Sequence, residues 1–299
     1  MKDFPIPVRA IGPGSQPDDD AELDFLEMPR GMSTFQMPRV PEKVDPLALA
    51  ESRDVLARFL AELEGWDPER EPQGPRTEMT GITPAALAIT NEVLGEGEVS
   101  IQIGGERRFR IQESVFTGLW RCCEVDAGGR LARDWLEAAA VPQIAIDAAR
   151  DASAVGVAEV EWPPGAMNSP ALVAEIGSQV EGRAPGARAH VINMTLFPMT
   201  PDDHAVLERA LPVGPVAMIS RGFGNCRVTS TLTRDVWRVQ YFNSMNTLIL
   251  NTLEVVDMPE VAVASAEDLA DSRTRMAELV EWMSESCAEQ AQPLSANQG

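Results

Sequence analysis

Two stretches of the chain share one order of hydrophobic and polar positions. Each begins with a Thr-Pro pair, at residues 83–84 and 200–201. Threonine caps a helix well, and proline suits the first helical position because no N–H is needed there. The helices are predicted to run through AALAITNEVLG and DDHAVLERALP and to end near Gly97 and Gly214.

The segments that follow these helices are rich in β-branched and aromatic residues. They read RFRIQESVFTGLWRCCEV and CRVTSTLTRDVWRVQYF, and residues of this kind favour strands. A turn sequence follows each of them, DAGG at 126–129 and NSMN at 243–246. Each stretch is therefore predicted to contain a three-stranded antiparallel meander.

Further helices are predicted before and after these stretches. One begins at Asp45 and reaches about Glu64, and one begins at Ser169 and reaches about Glu181; HVINMTLFPMT then predicts a short strand. Near the end, Ser265 and Asp268 have the spacing of a capping box. The residues after that box form one apolar helix stripe, made of Leu269, Met276, Leu279, Val280 and Met283.

The two stretches are internal copies. A shift of 117 residues places 83–151 on 200–268 without a gap, with 17 identities in 69 positions. The shared positions include the Trp120-Arg121 and Trp237-Arg238 pairs. The predicted fold is α+β: two tandem divergent copies of a helix-strand-helix-three-strand unit with antiparallel sheets, an extended N-terminal arm and a C-terminal helix.

The same pattern predicts four parts of the chain. Residues 1–44 form an extended, proline-rich acidic arm, and 45–152 form the first α+β repeat. Residues 153–168 are a linker, and 169–299 form the second repeat with the C-terminal helix.

The charge balance argues against two classes of partner, nucleic acids and anionic membranes. Lys and Arg number 25 against 46 Asp and Glu, which gives a net charge of −21. Such a chain repels phosphate backbones and anionic lipid, so we expect no nucleic-acid partner. No apolar run is long enough for a transmembrane helix or a secretion signal, so we expect no membrane insertion and a cytoplasmic location.

The inventory of reactive residues is short. His190 and His204 have no second candidate ligand at a familiar spacing, and CxxC, HExxH, GxSxG and phosphate-loop motifs are missing. We expect both histidines to be structural or on the surface. Of the four cysteines, Cys122, Cys123 and Cys226 could hold a metal or an iron–sulfur centre if they met. Consecutive strand residues point to opposite faces, however, which favours ordinary strand cysteines and no cofactor.

In each Trp-Arg pair, strand alternation also turns one residue towards the core and the other away from it. We interpret the tryptophans as core residues, and a binding surface is the alternative. A hydrolase or transferase would need converging polar groups in a deep cleft, which this inventory disfavours.

Several short segments together resemble one family. They are GPGSQPDDD at 12–20, LGEGEVSI at 94–101, LWR at 119–121, LE at 136–137, VWR at 236–238 and the ending LEVVDMPEVAVASAEDLADSR. In order and spacing they are similar to the hydrogenase expression/formation protein family HupH, also called HyaF or HoxQ, over nearly the whole chain. That family's doubled C-terminal domain fits the 117-residue shift.

The resemblance implies a role in maturing uptake nickel–iron hydrogenases. It implies a chaperone or scaffold, not an enzyme, that holds the iron–sulfur small-subunit precursor until cluster insertion and assembly with the large subunit. The expected partners are that precursor, with its twin-arginine signal as a candidate contact, and other hydrogenase accessory proteins. An iron–sulfur or metal carrier is the alternative. The family offers no catalytic residues to transfer.

We therefore expect binding residues and no catalytic or metal-ligating ones. The candidates lie in the acidic arm and in the two Trp-Arg pairs: Gly12, Pro13, Gly14, Ser15, Gln16, Asp18, Asp19, Asp20, Arg121 and Arg238. The acids of residues 254–299, ten against two arginines, are a second candidate contact, for a basic export signal.

Overall fold

A computed structural model describes residues 45–68, 70–71, 73–222 and 224–291. The predicted arm at 1–44, and with it the candidate residues from Gly12 to Asp20, lies outside the described residues.

The described chain alternates helices with groups of strands. The helices are α1 Pro46–Glu64, α2 Pro84–Leu94, α3 Gln143–Asp151, α4 Ser169–Glu181, α5 Pro201–Ala210 and α6 Ala266–Ala291. Short 3-10 turns occupy Met194–Leu196 and Glu260–Ala262. The strands are β1 Arg76–Glu78, β2 Val99–Ile103, β3 Arg108–Glu113, β4 Leu119–Val125, β5 Leu131–Ala138, β6 His190–Asn193, β7 Val213–Ser220, β8 Asn225–Thr231, β9 Val236–Phe242 and β10 Leu248–Val255.

All ten strands join one antiparallel sheet in the order β1-β5-β4-β3-β2-β7-β8-β9-β10-β6. We call β1–β5 with α1–α3 the first half, and β6–β10 with α4–α6 the second half. The strand order of one half mirrors that of the other. Where they join, Ile101 of β2 lies opposite Met218 of β7, and these two residues are 117 positions apart. Residues related by this shift are called offset-matched below.

Two parts of the predicted fold are wrong. Four strands, not three, follow α2 and α5, and they form one sheet instead of two. The fourth strand, β5 or β10, was missed because its second half is buried on both faces. Trp135 and Leu136 are adjacent in the chain and both buried, so the alternation that marks a strand disappears.

The helix starts follow the prediction. The Thr83 side chain accepts a hydrogen bond from the Ala86 N–H, and Thr200 forms a full capping box with Asp203. The ends come earlier than predicted, at Leu94 and Ala210, since β2 and β7 must begin close by. Helix α3 was not predicted. No helix in the described part of the chain is both long and apolar enough to pass through a membrane.

The helices divide the molecule into three hydrophobic clusters. On one side of the sheet, α1, α2 and α6 pack over the first half, while α4 and α5 pack over the second. The opposite side carries a continuous cluster that crosses both halves, covered by α3 and the 3-10 turn at Glu260–Ala262. The sheet is thus buried along its whole width on one side and only towards its two ends on the other.

Helix α6 crosses back from the second half to the first. The capping box at its start is present: the Asp268 N–H donates to Ser265 Oγ at 3.0 Å. Its stripe is buried as predicted, with Met276 and Met283 packed in the α1–α2 cluster. A side chain at Gly118 would overlap Leu269 of this helix, so glycine is required there for close approach. The two halves are therefore held together by helix packing as well as by the β2–β7 pairing.

Candidate protein-binding surface

The middle of the sheet is exposed on the side that carries α2 and α5. Leu119 and Leu136 of the first half face the α1–α2 cluster, and Leu253 faces the α4–α5 cluster. Between these two clusters the same side of strands β2–β4 and β7–β9 is only partly buried. We call this surface the open face. Its central residues are Ser100, Gln102, Arg110, Gln112, Arg121, Cys123, Ala217, Ile219, Arg227, Thr229, Arg238 and Gln240.

The open face is basic in an acidic protein. Its central residues include four arginines in two offset-matched pairs, Arg110 with Arg227 and Arg121 with Arg238, and Arg108 lies on the same side at the start of β3. The six strands that form it, all fully described, place no carboxylate on this side. Because the whole chain has a net charge of −21, this local excess of positive charge makes the open face the surface best suited to acidic groups of a partner.

Arg121 is neutralised within the protein. Its Nε and Nη2 donate to the two carboxylate oxygens of Asp134 at 3.0 and 2.7 Å, and Nη1 donates to Asn91 of α2 at 2.5 Å. The Asp134 side chain is 2% exposed and that of Arg121 is 24% exposed. Burial opposes the charge, yet the hydrogen bonds to Asp134 raise the pKa of Arg121. This is a two-pronged, charge-assisted contact, the strongest geometry that an arginine offers.

Arg238 occupies the matched position without a matched acceptor. The offset-matched residue of Asp134 is Asn251, and that of Asn91 is Glu208. Within the described residues Arg238 makes no ion pair or hydrogen bond. Burial lowers the pKa of its guanidinium, and the charge of Glu208 only partly opposes this.

A small cavity lies beside Arg238. It measures about 30 Å³ and is lined by Met194, His204, Leu207, Glu208, Arg238, Asn251 and Leu253. The Oδ1 atom of Asn251 is buried there with no hydrogen-bond partner in the described structure. We call this place the Arg238 cleft. A buried polar atom without a partner is costly, and the cleft holds two unpartnered groups, this acceptor oxygen and the donor guanidinium of Arg238.

The other two arginines are accessible. Arg110 is exposed on β3, next to Cys123 of β4. Arg227 lies with its guanidinium carbon 4.5 Å from the centre of the Phe242 ring, a cation–π contact that leaves its N–H groups available.

The two tryptophans lie on the opposite side of the sheet, as alternation predicts. Trp120 and Trp237 are 1% and 3% exposed and belong to the cluster that crosses both halves. Their indole N–H groups donate to the carbonyls of Ala139 and Val256, at 2.8 and 3.1 Å. These acceptors are themselves offset-matched. The interpretation of both tryptophans as core residues is confirmed, and their reading as a binding surface is wrong.

The cysteines do not meet as a group. Cys122 is buried in the cluster opposite the open face, whereas the Cys123 thiol lies on the open face, 3.6 Å from Asp134. Burial raises the pKa of Cys122 well above its usual range and those of Cys123 and Cys226 to about 11. The thiols are therefore protonated at neutral pH, and thiolate is the form that binds metals. Among the described residues no three His, Cys, Asp or Glu side chains are grouped as metal ligands would be.

The two histidines have different surroundings. His190 Nε2 lies 2.7 Å from Glu175 Oε1 in a partly exposed contact between β6 and α4. His204 lines the Arg238 cleft. Sequence reasoning therefore named Arg121 and Arg238 as candidates but missed that they share one surface, and it missed His204, Glu208 and Asn251 as the surroundings of Arg238. Asn251 and Glu208 could have been found by comparing the residues 117 positions apart, because Asn251 stands where the first half has Asp134, and Glu208 stands where it has Asn91.

Comparisons with known proteins agree on one family. The profile described as "HupH hydrogenase expression protein, C-terminal conserved region" matches residues 49–160 and again 166–283. The chain is 42% identical to the hydrogenase expression/formation protein HoxQ of Cupriavidus necator, over 95% of this chain and 99% of that protein. It is 38% identical to HupH of Rhodobacter capsulatus, over 94% and 98% of the two chains.

More distant relatives extend the same group. The hydrogenase-1 operon protein HyaF of Escherichia coli is 32% identical over 92% of this chain and 96% of that protein. A solved structure, the hydrogenase expression protein HupH from Thiobacillus denitrificans, is 25% identical and covers 40% of this chain and 96% of its own, with a TM-score of 0.33. With a family profile that matches most of the chain and relatives above 30% identity along nearly all of it, this chain belongs to the HupH family of hydrogenase expression/formation proteins.

Proposed function

We propose that this protein is a cytoplasmic chaperone in hydrogenase maturation, which binds the iron–sulfur small-subunit precursor of a nickel–iron hydrogenase through its open face and holds it for assembly. The names of its relatives support a role in hydrogenase expression or formation. The assignment to the small subunit and the holding role are our inference.

The observation that carries the proposal is the open face. It is a sheet surface with helices at its two ends, α1, α2 and α6 at one end and α4 and α5 at the other. Its charge is positive, whereas the protein as a whole is negative. Charge complementarity of this kind speeds the encounter with a partner and rejects wrong ones. A chaperone needs such a surface and no reactive side chain, and we propose that the protein is not an enzyme.

We further infer that the two halves are divergent copies of one unit. The double profile match, the mirrored strand order and the offset-matched tryptophan hydrogen bonds support this. Both halves then contribute arginines to the one surface that faces the partner, although Arg121 is satisfied within the protein.

The arm and the acidic end remain candidate contacts. We propose that residues 12–20 contribute to capture of the precursor, and that the acids of 254–299 steer its basic signal. Deleting residues 1–20 should then weaken capture of the precursor without lowering the melting temperature of this protein.

The steering role of the acids is tested with salt. Raising salt to about 0.5 M, where the Debye length falls below about 5 Å, should slow association with the precursor more than it changes dissociation. Capture and association rates that do not change would leave both segments without this role.

The carrier alternative is less well supported. It requires Cys122, Cys123 or Cys226 to bind a cluster, but these thiols lie on two sides of the sheet and have raised pKa values. Iron analysis of anaerobically purified wild type and of the Cys122→Ser/Cys123→Ser double variant tests it. Stoichiometric iron that disappears in the variant would favour the carrier.

The proposed function is tested by co-expression with the hydrogenase genes and affinity purification of this protein. We expect the small-subunit precursor to copurify as a stoichiometric complex that survives size-exclusion chromatography. A precursor without its signal should bind more weakly. Copurification of the large subunit alone, or of no hydrogenase subunit, would contradict the proposal.

A further inference from the structure

We propose that the Arg238 cleft is a carboxylate-binding site, which receives an aspartate or glutamate side chain of the bound partner in the position that Asp134 occupies beside Arg121. This inference rests on the proposed function for the identity of the partner, but the cleft and its chemistry stand on geometry alone.

The first half of the sheet shows what the second half lacks. In the first half, Nε and Nη2 of Arg121 are occupied by a carboxylate from the neighbouring strand. In the second half, Asn251 has the same register against β9, since it pairs with Gln240 as Asp134 pairs with Cys123. At this position the carboxamide makes no hydrogen bond with Arg238, so the guanidinium has no acceptor in the described structure. Asn251 Oδ1 is also unpartnered; it is an acceptor, so the groups that could donate to a carboxylate are the guanidinium and the Nδ2 amide of Asn251.

The cleft has room for a small polar group. Its volume of about 30 Å³ exceeds the roughly 10–15 Å³ that one water needs by the same measure. A carboxylate entering from the open face would meet two parallel N–H groups, the arrangement in which arginine binds carboxylates most strongly.

The charges around the cleft are compatible with an acid. Among the described residues, Glu208 is the only carboxylate that lines it, on the α5 side of Arg238. Arg110 and Arg227 add two positive charges to the same open face, and neither is in an ion pair within the described structure. A partner's carboxylate would therefore enter a region where positive charge is in excess. The side chain of His204 lines the cavity as a further polar group.

Asn251→Asp provides a direct test, because it should supply internally the carboxylate that the partner is proposed to bring. We expect this variant to fold, with a melting temperature no lower than that of the wild type. We expect its affinity for the purified small-subunit precursor to fall at least tenfold. Asn251→Ala is the matched control, which removes the carboxamide without adding charge and should bind within about threefold of the wild type.

A second readout is independent of the partner. The Nε–Hε signal of Arg238 can be followed by nuclear magnetic resonance during titration with sodium acetate at constant ionic strength. We expect a saturable shift for Arg238 in the wild type, little change for Arg121, and no saturable shift in Asn251→Asp. If that variant does not fold, Arg238→Gln replaces it in the precursor-binding experiment, and the acetate titration rests on the wild-type signals of Arg238 and Arg121.

The two measurements distinguish failure of the proposed function from failure of the carboxylate site. A wild type that does not bind the precursor would refute the proposed function, and the acetate titration would still test whether the cleft binds a carboxylate. Precursor binding that is equally tight in wild type and Asn251→Asp would overturn the partner-carboxylate inference, whatever acetate does. An Arg238 signal that acetate does not move would overturn the carboxylate site itself.

Discussion

Arg121 and Arg238 occupy matched places in the two halves of the sheet, but only Arg121 has hydrogen-bond acceptors in the described structure. Arg121 is held by a buried carboxylate and a carboxamide, so it contributes to the stability of the first half. Arg238 has neither partner, because Asn251 stands at the place matched to Asp134 and Glu208 at the place matched to Asn91. Two arginines at matched places of one sheet therefore differ in availability: the contacts of the first are satisfied within the protein, and those of the second are open.

The two halves also differ in polar contacts at two further matched places. Glu113, buried between β2 and the β3–β4 turn, accepts hydrogen bonds from Val99 and Gly118, whereas Ser230 at the matched position accepts one from Val216. At the start of α5, Asp203 is buried and richly bonded, whereas α2 has Ala86 there. Each place allows the comparison to be tested by substitution.

The largest effect is expected for Asp134→Asn. Removing one charge of a buried pair leaves the other uncompensated, which costs about 3–5 kcal/mol when both are fully buried. Since Arg121 is 24% exposed, we expect a loss of about 3 kcal/mol in the free energy of unfolding in urea. Asn251→Ala should lose less than about 1 kcal/mol, because its Oδ1 has no partner. Equal losses would show that the two sites do not differ as described.

Asp203→Asn is expected to cost about 2 kcal/mol at pH 7. Asp203 Oδ1 accepts N–H groups of Met167, Asn168 and Ser169 at 2.8–2.9 Å, and Oδ2 accepts that of Thr200 at 3.0 Å. Burial alone would raise the pKa of Asp203, but these hydrogen bonds lower it well below its usual range.

The sign of the pH dependence follows from that lowered pKa. The stability contributed by the ionised Asp203 is present above about pH 4, the pKa of an unfolded aspartate, and is lost as the pH falls below it. The difference between wild type and Asp203→Asn should therefore shrink between pH 4 and pH 2.5. A difference that stays constant over this range would mean that ionised Asp203 does not carry the effect.

Glu113→Gln is expected to stabilise the protein at high pH. Burial raises the pKa of Glu113 to about 7, although hydrogen bonds from Gly118 and Val99 oppose it. Between about pH 4.5 and 7 the unfolded chain loses this proton while the folded protein keeps it, so wild-type stability falls as the pH rises. We expect a gain of about 1–3 kcal/mol for Glu113→Gln at pH 8 and almost none at pH 4.5, from urea unfolding. Ser230→Ala, the matched control, should show no such pH dependence.

The smallest difference is expected between the two tryptophans. Trp120→Phe and Trp237→Phe each remove one indole hydrogen bond to a main-chain carbonyl, worth about 1 kcal/mol. Because the surroundings match, the two losses should agree within about 0.5 kcal/mol. A gap above about 2 kcal/mol would argue against divergent copies of one unit.

Much of the fold could be predicted because its signals are local. The caps at Thr83, Thr200 and Ser265 and the stripe of α6 depend on residues three or four positions apart. Alternation also predicted which side of the sheet Trp120 and Arg121 take. By contrast, the β2–β7 pairing and the return of α6 to the first half join residues more than 100 positions apart, which no local pattern specifies.

The site was predictable only in part for a similar reason. The repeat singled out Arg121 and Arg238, but whether an arginine finds an acceptor depends on the strand opposite and the helix above it. Asn251 and Glu208 become informative only after β9, β10 and α5 are brought together.

The most direct test of the central claim is site-specific photocrosslinking to the small-subunit precursor. A photoreactive amino acid replaces Gln102, at the centre of the open face, or Asp147, exposed on α3 at the opposite side of the sheet. We expect a strong crosslink to the precursor from position 102 and little or none from 147. Crosslinking from 147 but not from 102 would place the partner on the other side of the sheet and refute binding through the open face.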